Sequence, residues 1–246
     1  MRGLGTIINV IAILVGSSLG VLIGNRLPDR TRTTVTDALG LVTMVIGALN
    51  IASLRDAGYI EAVGGGATLL IVLGALVLGG IAGSLLGIED RLESVGKWLQ
   101  SRFSRAGTDG RPGFVEGFVD ASLVFCIGPL AILGSLSDGL GNGIEQLALK
   151  STLDAFASLA FAASLGWGVA ASALSVGVWQ GVLTLLSVVL GSLLSGAMIA
   201  SITVTGGVLL IGVGFRLLGV KQIAVGDLLP ALLLAPALTA LVAAVR

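Results

Sequence analysis

The chain alternates long apolar runs with short clusters of charge, glycine and proline. Runs of about 20 apolar residues are the signature of helices that cross a bilayer. Eight such spans are predicted, at approximately 4–25, 34–54, 65–87, 114–136, 147–165, 168–193, 197–218 and 225–244. The weakest boundary is Leu165-Gly166-Trp167-Gly168; without a turn there the count drops to seven. Between the third and fourth spans, Ile88, Leu92, Val95, Leu99 and Phe103 fall at spacings of four, three, four and four, and so share one helical face. Glu89, Arg91, Glu93, Lys97 and Arg102 fill the rest of that surface. The pattern predicts a cytoplasmic amphipathic helix over 88–105, lying in the membrane interface with Trp98 at headgroup level. Gly107-Thr108-Asp109-Gly110-Arg111-Pro112-Gly113 then breaks it before the fourth span.

Composition agrees with that pattern. The 246 residues are 55% apolar and only 11% charged, with 38 glycines and a mean hydropathy of +1.05. Soluble domains carry about 25% charge, so a soluble fold of this size could not cover its surface. The fold class expected is an all-α polytopic membrane protein, with residues 1–246 forming a single transmembrane domain. Fourteen basic and fourteen acidic residues cancel, which leaves no field to hold nucleic acid. The absence of histidine removes Ser-His catalysis and imidazole metal sites. Cys126, the single cysteine, can form neither an internal disulfide nor a thiolate cluster. Gly64-Gly65-Gly66 lacks the Lys-Ser/Thr of a phosphate cradle. No cofactor, no metal and no enzymatic activity are expected. Arg2 leads into the first apolar run with no cleavage signal behind it, so that span is expected to be retained.

The basic residues orient the chain. With eight spans, one side of the membrane holds Arg26, Arg30, Arg32, Arg91, Lys97, Arg102, Arg105, Arg111, Arg216 and Lys221. The other holds Arg2, Arg55, Lys150 and Arg246. Ten against four places the first side in the cytoplasm and both termini outside it.

The chain also compares with itself. Ile13-Leu14-Val15-Gly16-Ser17-Ser18-Leu19-Gly20 in span one is similar to Val188-Val189-Leu190-Gly191-Ser192-Leu193-Leu194-Ser195 in span six. Gly40 and Gly47 of span two have the same separation as Gly207 and Gly214 of span seven. Spans three and eight are both rich in Leu and Ala. Spans four and five align Glu116 to Ser122 over Lys150 to Phe156, each with a charge four positions before an Asp-Ala. Every matched pair would then be antiparallel. The expectation is an inverted-topology repeat in permuted order, spans 1-2-3/4 with 6-7-8/5, an arrangement that builds transporters with a midplane site. Shared Gly, Leu and Ala composition is the competing explanation.

Charge within a span is the remaining chemical signal, because Asp at a helix centre costs about 2.5–3.5 kcal/mol on insertion scales. Asp120 and Asp154 each lie about seven residues into a span, roughly 10 Å deep. Lys150 precedes Asp154 by four residues and can pair with it, whereas Glu116 precedes Asp120 and sets two like charges together. The alternative to a coupling role is satisfaction by neighbouring hydroxyls. Phe125-Cys126-Ile127-Gly128-Pro129 should break span four and expose the carbonyls near Val124 to Cys126, for a cation or for nearby Ser and Thr donors. The candidate substrate- or ion-binding set is Asp120, Asp154, Glu116, Ser122, Cys126, Gly128, Pro129, Asn9 and Gln180. Gly16, Gly20, Gly24, Gly74, Gly79, Gly80 and Gly83 are read as close-packing positions.

EGFVDASLVFCIGPLAILGSLSDGL from Glu116, KSTLDAFASLAFAASLGWG from Lys150, VGDLLPALLLAP from Val225 and the opening GTIINVIAILVGSSLGVLIG resemble the YqgA/YdfK-like family of bacterial integral membrane proteins. That family is a domain of unknown function; the resemblance implies a bacterial inner-membrane protein and supplies no site residues. Together, the residues point to a secondary transporter or ion-conducting protein for a small solute or cation, expected to be dimeric in the bilayer. The competing class is a membrane scaffold or accessory subunit acting through the 88–105 helix. An intramembrane enzyme working through Asp120 and Asp154 is the weakest reading.

Overall fold

The computed structural model describes residues 2–24, 26–103, 113–187 and 194–245. Arg105, Arg111, Arg246, the end of span six at 188–193 with its Gly191-Ser192, and the breaker from Gly107 to Pro112 lie outside them. The described residues are helical, without strands. The helices are α1 (Leu4–Gly24), α2 (Asp29–Ile51), α3 (Ala57–Val63), α4 (Ala67–Leu86), α5 (Ile88–Phe103), α6 (Phe114–Cys126), α7 (Pro129–Leu140), α8 (Glu145–Leu165), α9 (Gly168–Leu185), α10 (Gly196–Leu217) and α11 (Ala231–Val245). Among the described residues, six segments are long and apolar enough to cross a membrane, or seven where the bent pair α6/α7 counts as one span. The Leu165–Gly168 boundary is a turn with Gly166 at φ 79°. The short α3 was not foreseen; Asp56 caps it by accepting the Tyr59 N–H at 2.9 Å.

Lipid is as apolar as leucine, so packing here cannot rely on hiding apolar surface and depends on close backbone approach. Glycines provide it. A Cβ on Gly16, Gly20 or Gly24 would strike the carbonyl of Ala155, Leu159 or Ala163, so α8 lies along α1 in the same direction for their whole length. Gly47 faces Gly207, where a Cβ would lie 2.6 Å from the carbonyl oxygen, and Gly40 faces Gly214, so α2 and α10 are antiparallel. A Cβ on Gly79 would lie 2.5 Å from Ala231 N, and Gly83 meets Asp227, so α4 and α11 are antiparallel too. Large apolar residues face outward, among them Leu69, Leu73, Val77 and Ile81 on α4. The buried core includes Phe118 and Phe125 of α6, Val176 of α9, and Leu209 and Val213 of α10.

The α6/α7 pair bends by 62° yet runs the length of α9. Phe114 at the start of α6 abuts Gly168 at the start of α9, and Ser122 bonds Ser175 at 3.0 Å. Further on, Thr184 donates to the Ser135 carbonyl, and Gly139 meets Ser187. A segment returning to its own side would not stay level with α9 from one end to the other.

A helix forms over Ile88–Phe103 as α5, and its packed face differs from the one predicted. Leu99 is buried and Gly96 lies against Phe118 and Val115 of α6, while Val95 and Trp98 remain exposed. Its inner face is therefore used for docking onto the bundle, with part of the apolar stripe left outward.

Candidate functional site

The α6/α7 break follows directly from Gly128-Pro129. Ile127 still donates to Leu123 at 3.1 Å, but Pro129 has no N–H, and the N–H groups of Gly128 and Leu130 reach no acceptor among the described residues. The Val124, Phe125 and Cys126 carbonyls consequently lose their helical donors. Thirteen residues of α6 precede the break and twelve of α7 follow it, so it lies about 20 Å from the α6 start, near mid-span.

Beside the break stands a buried ion pair. Lys150 Nζ donates to Asp154 Oδ2 at 2.6 Å, and Asn9 Nδ2 donates to the same oxygen at 3.0 Å. Lys150 and Asp154 are four apart on α8, as the spacing predicts, and α1 brings Asn9 because the two helices run in parallel contact. The ammonium lies 5.9 Å from the centroid of the Phe125 ring, in the last turn of α6. Phe161 meets that ring edge-on at 6.1 Å. Gln180 on α9 is fully buried, and among the described residues neither its oxygen nor its nitrogen has a partner; Asn9 Oδ1 is likewise unpaired among them. Gln180 falls between Ser175, level with Ser122, and Thr184, level with Ser135, which puts it at the height of the break.

A second network lies where the start of α5 meets the last turn of α10. Arg216 Nη1 is bonded to Glu89 Oε1 and donates to the Ile223 carbonyl at 3.2 Å. Arg216 Nε lies 3.0 Å from Asp120 Oδ1, an ion pair that lacks the alignment of a hydrogen bond. Glu89 Oε2 accepts the Gly226 N–H at 2.6 Å, and Asp227 accepts the Glu89 N–H at 2.9 Å at the start of α5. Three charges from α5, α6 and α10 are thereby buried together.

The candidate residues divide between these networks. Asp154, Asn9, Cys126, Gly128, Pro129 and Gln180 belong to the neighbourhood of the break; Cys126 is a half-buried free thiol. Asp120 is fully buried with Arg216, and no ion pair joins it to Asp154 among the described residues. Glu116 is exposed on α6, and Asp120 is ion-paired with a cation from α10 that the sequence did not place there. One expectation is corrected. Arg216 is no free loop cation, and Lys150 is not one either; taking one from each side leaves nine against three, with the same orientation. Ser122 ties α6 to α9 through Ser175. Glu89 was missed as a site residue, since on the helical wheel it reads as part of a solvated face. Asp138 was also missed; it accepts the Gly3 and Gly5 N–H groups, both at 3.0 Å, and holds the α1 start to α7. Among the described residues, no three acidic or thiol groups converge on a metal position.

The comparisons with known proteins extend along nearly the whole chain. Residues 4–240 match the family described as "Protein of unknown function (DUF554)". The "Uncharacterized membrane protein YdfK" of Bacillus subtilis (strain 168) is 31% identical over 233 residues, covering 94% of this chain and 93% of its own. The "Uncharacterized protein YqgA" of Escherichia coli (strain K12) is 30% identical over 238 residues, 96% of each. No solved structure matches. The chain, a helical membrane protein by its apolar spans, belongs to the DUF554 family of proteins of unknown function.

Proposed function

We propose that the protein is a membrane transport protein, a secondary transporter or ion-conducting protein for a small solute or cation, in the bacterial inner membrane. The observation that carries the reading is the break at Gly128-Pro129, where unpaired backbone lies beside the buried Lys150–Asp154 pair. Irregular backbone at membrane depth is tolerated where it is enclosed by protein or lines a water-filled cavity, and an ionisable pair beside such a break is typical of a solute or ion path. Asp154 is the coupling carboxylate in this scheme. Asp120, engaged by Arg216, holds the cytoplasmic end of α6 in place. The reading involves no catalysis.

The same proposal includes eight crossings, with α8 as the eighth, both termini outside the cytoplasm, and a permuted inverted repeat. Supporting the repeat, α2 opposes α10, α4 opposes α11, and α6 opposes α8, each matching a pair expected from sequence. Lipid is the proposed partner of the exposed Val95 and Trp98 on α5. The test is current from protein reconstituted in liposomes under Na⁺, K⁺, H⁺ and small-metabolite gradients, with uptake of labelled solutes for electroneutral movement. A flux abolished by Asp154→Asn is expected. Full flux in that variant would remove Asp154 from coupling, and no flux of any solute would refute the transport reading.

A further inference from the structure

We infer that the α6/α7 break binds a small zwitterion of the α-amino acid class; the inference rests on the reading of the break as the transport site. Three features point to a ligand there. The first is Gly128 itself. Its backbone (φ −74°, ψ 147°) suits any residue, and a Cβ would meet nothing within 4 Å among the described residues. Neither conformation nor packing explains a glycine, and the bare backbone fronts open space. The second is the set of free groups on that backbone: the Gly128 and Leu130 N–H groups as donors, and the Val124, Phe125 and Cys126 carbonyls as acceptors. Unpaired groups of this kind cost several kcal/mol each against hydrocarbon, so the space is one for water or a polar ligand. The third is Gln180, fully buried at the same height with its whole amide unpartnered.

The balance of charge selects the ligand class. The α7 N-terminus with its two donors favours a carboxylate, and the α6 C-terminus with its three carbonyls favours an ammonium. A bare cation would leave the donors unserved, and a simple anion would leave the carbonyls unserved. Lys150 and Asp154 already neutralise each other at 2.6 Å, so they offer the break no countercharge for a ligand with net charge. A zwitterion answers both sets of backbone groups and remains neutral overall, with the Gln180 amide as a further donor and acceptor for it.

The experiment uses the full chain in detergent. Thermal unfolding is followed with glycine, alanine, serine and glutamine, then with acetate, ethylamine, NaCl and KCl at matched concentration. At least one amino acid should raise Tm with a saturable dependence, while acetate, ethylamine and the salts should not. Two variants localise the effect. Gln180→Leu removes an unsatisfied buried amide, so the ligand-free Tm should hold or rise while amino-acid affinity falls at least about tenfold. Gly128→Leu fills the open space without backbone strain and should abolish the ligand-dependent shift.

Stabilisation by NaCl or KCl alone would overturn the inference in favour of a cation on the carbonyls, leaving transport intact. A shift from no probe, or an amino-acid shift that survives both substitutions, would also overturn it. Amino-acid binding without flux in liposomes would uphold the site and refute transport instead.

Discussion

Arg216 and Lys150 are both buried cations on helices of the bundle, yet their surroundings differ. Arg216 faces two carboxylates, and the second oxygen of Glu89 is occupied by the Gly226 N–H. Its network draws on helices distant in sequence, and the capping bond from Glu89 N–H to Asp227 adds the segment before α11. Lys150 faces one carboxylate on its own helix, with Asn9 as third member and unpaired backbone next to it. The first arrangement spends its charges on joining elements. The second keeps its ion pair within one helix, and among the described residues the Asn9 amide is its hydrogen-bonded link to another. The elements that supply a buried charge's partners therefore decide how much of the packing depends on it.

The comparison breaks most sharply at Arg216. Arg216→Met leaves Glu89 and Asp120 buried without a cation, and stability should fall by about 3–5 kcal/mol. Denaturant titration in detergent would measure it; a loss under about 1 kcal/mol would mean the guanidinium is not the organising group. Arg216→Lys should recover only part, because one ammonium cannot reproduce the two nitrogens that meet separate carboxylates.

Lys150→Met should cost about 3 kcal/mol by stranding Asp154. The double variant Lys150→Met/Asp154→Leu should regain most of that stability while flux stays absent, since an apolar pair can replace a buried ion pair. Such rescue would separate the second network from the first, where the partners also secure backbone N–H groups.

Gly16→Val probes the α1/α8 contact that brings Asn9 to the pair. Its side chain would strike the Ala155 carbonyl, and about 1–3 kcal/mol should be lost. A smaller effect is expected for Asp227→Ala, about 1 kcal/mol, from loss of the bond that caps α5. Protease sensitivity of the 88–103 segment should rise in parallel. Smallest of all is Gly128→Ala, expected within about 0.5 kcal/mol of the parent because its methyl meets nothing.

Much of this was legible from the chain. The spans follow from runs of apolar residues, and the break from Gly128-Pro129, where proline removes a donor and excludes a continuous ladder. The Lys150–Asp154 pair follows from an i,i+4 spacing. These features are local: a window of four to twenty residues contains their whole cause. Arg216 shows where local reading ends. It lies at the edge of a hydrophobic run and reads as a cytoplasmic anchor, but Glu89, 127 positions away, takes one of its nitrogens.

What the sequence determined by itself was a membrane protein of many apolar helices, one of them broken, with acids at depth. Only the tertiary structure decided that Asp120 belongs with Arg216 and Glu89, and that Asp154 and Asn9 stand beside the break with Gln180 at its level. The physical reason is that hydropathy and helical periodicity act along the chain, whereas the cost of burying a charge is met by whichever partner packing brings within about 3 Å. Glycine faces on α1, α2 and α4 set that packing, and small residues permit close approach without naming the helix that will make it.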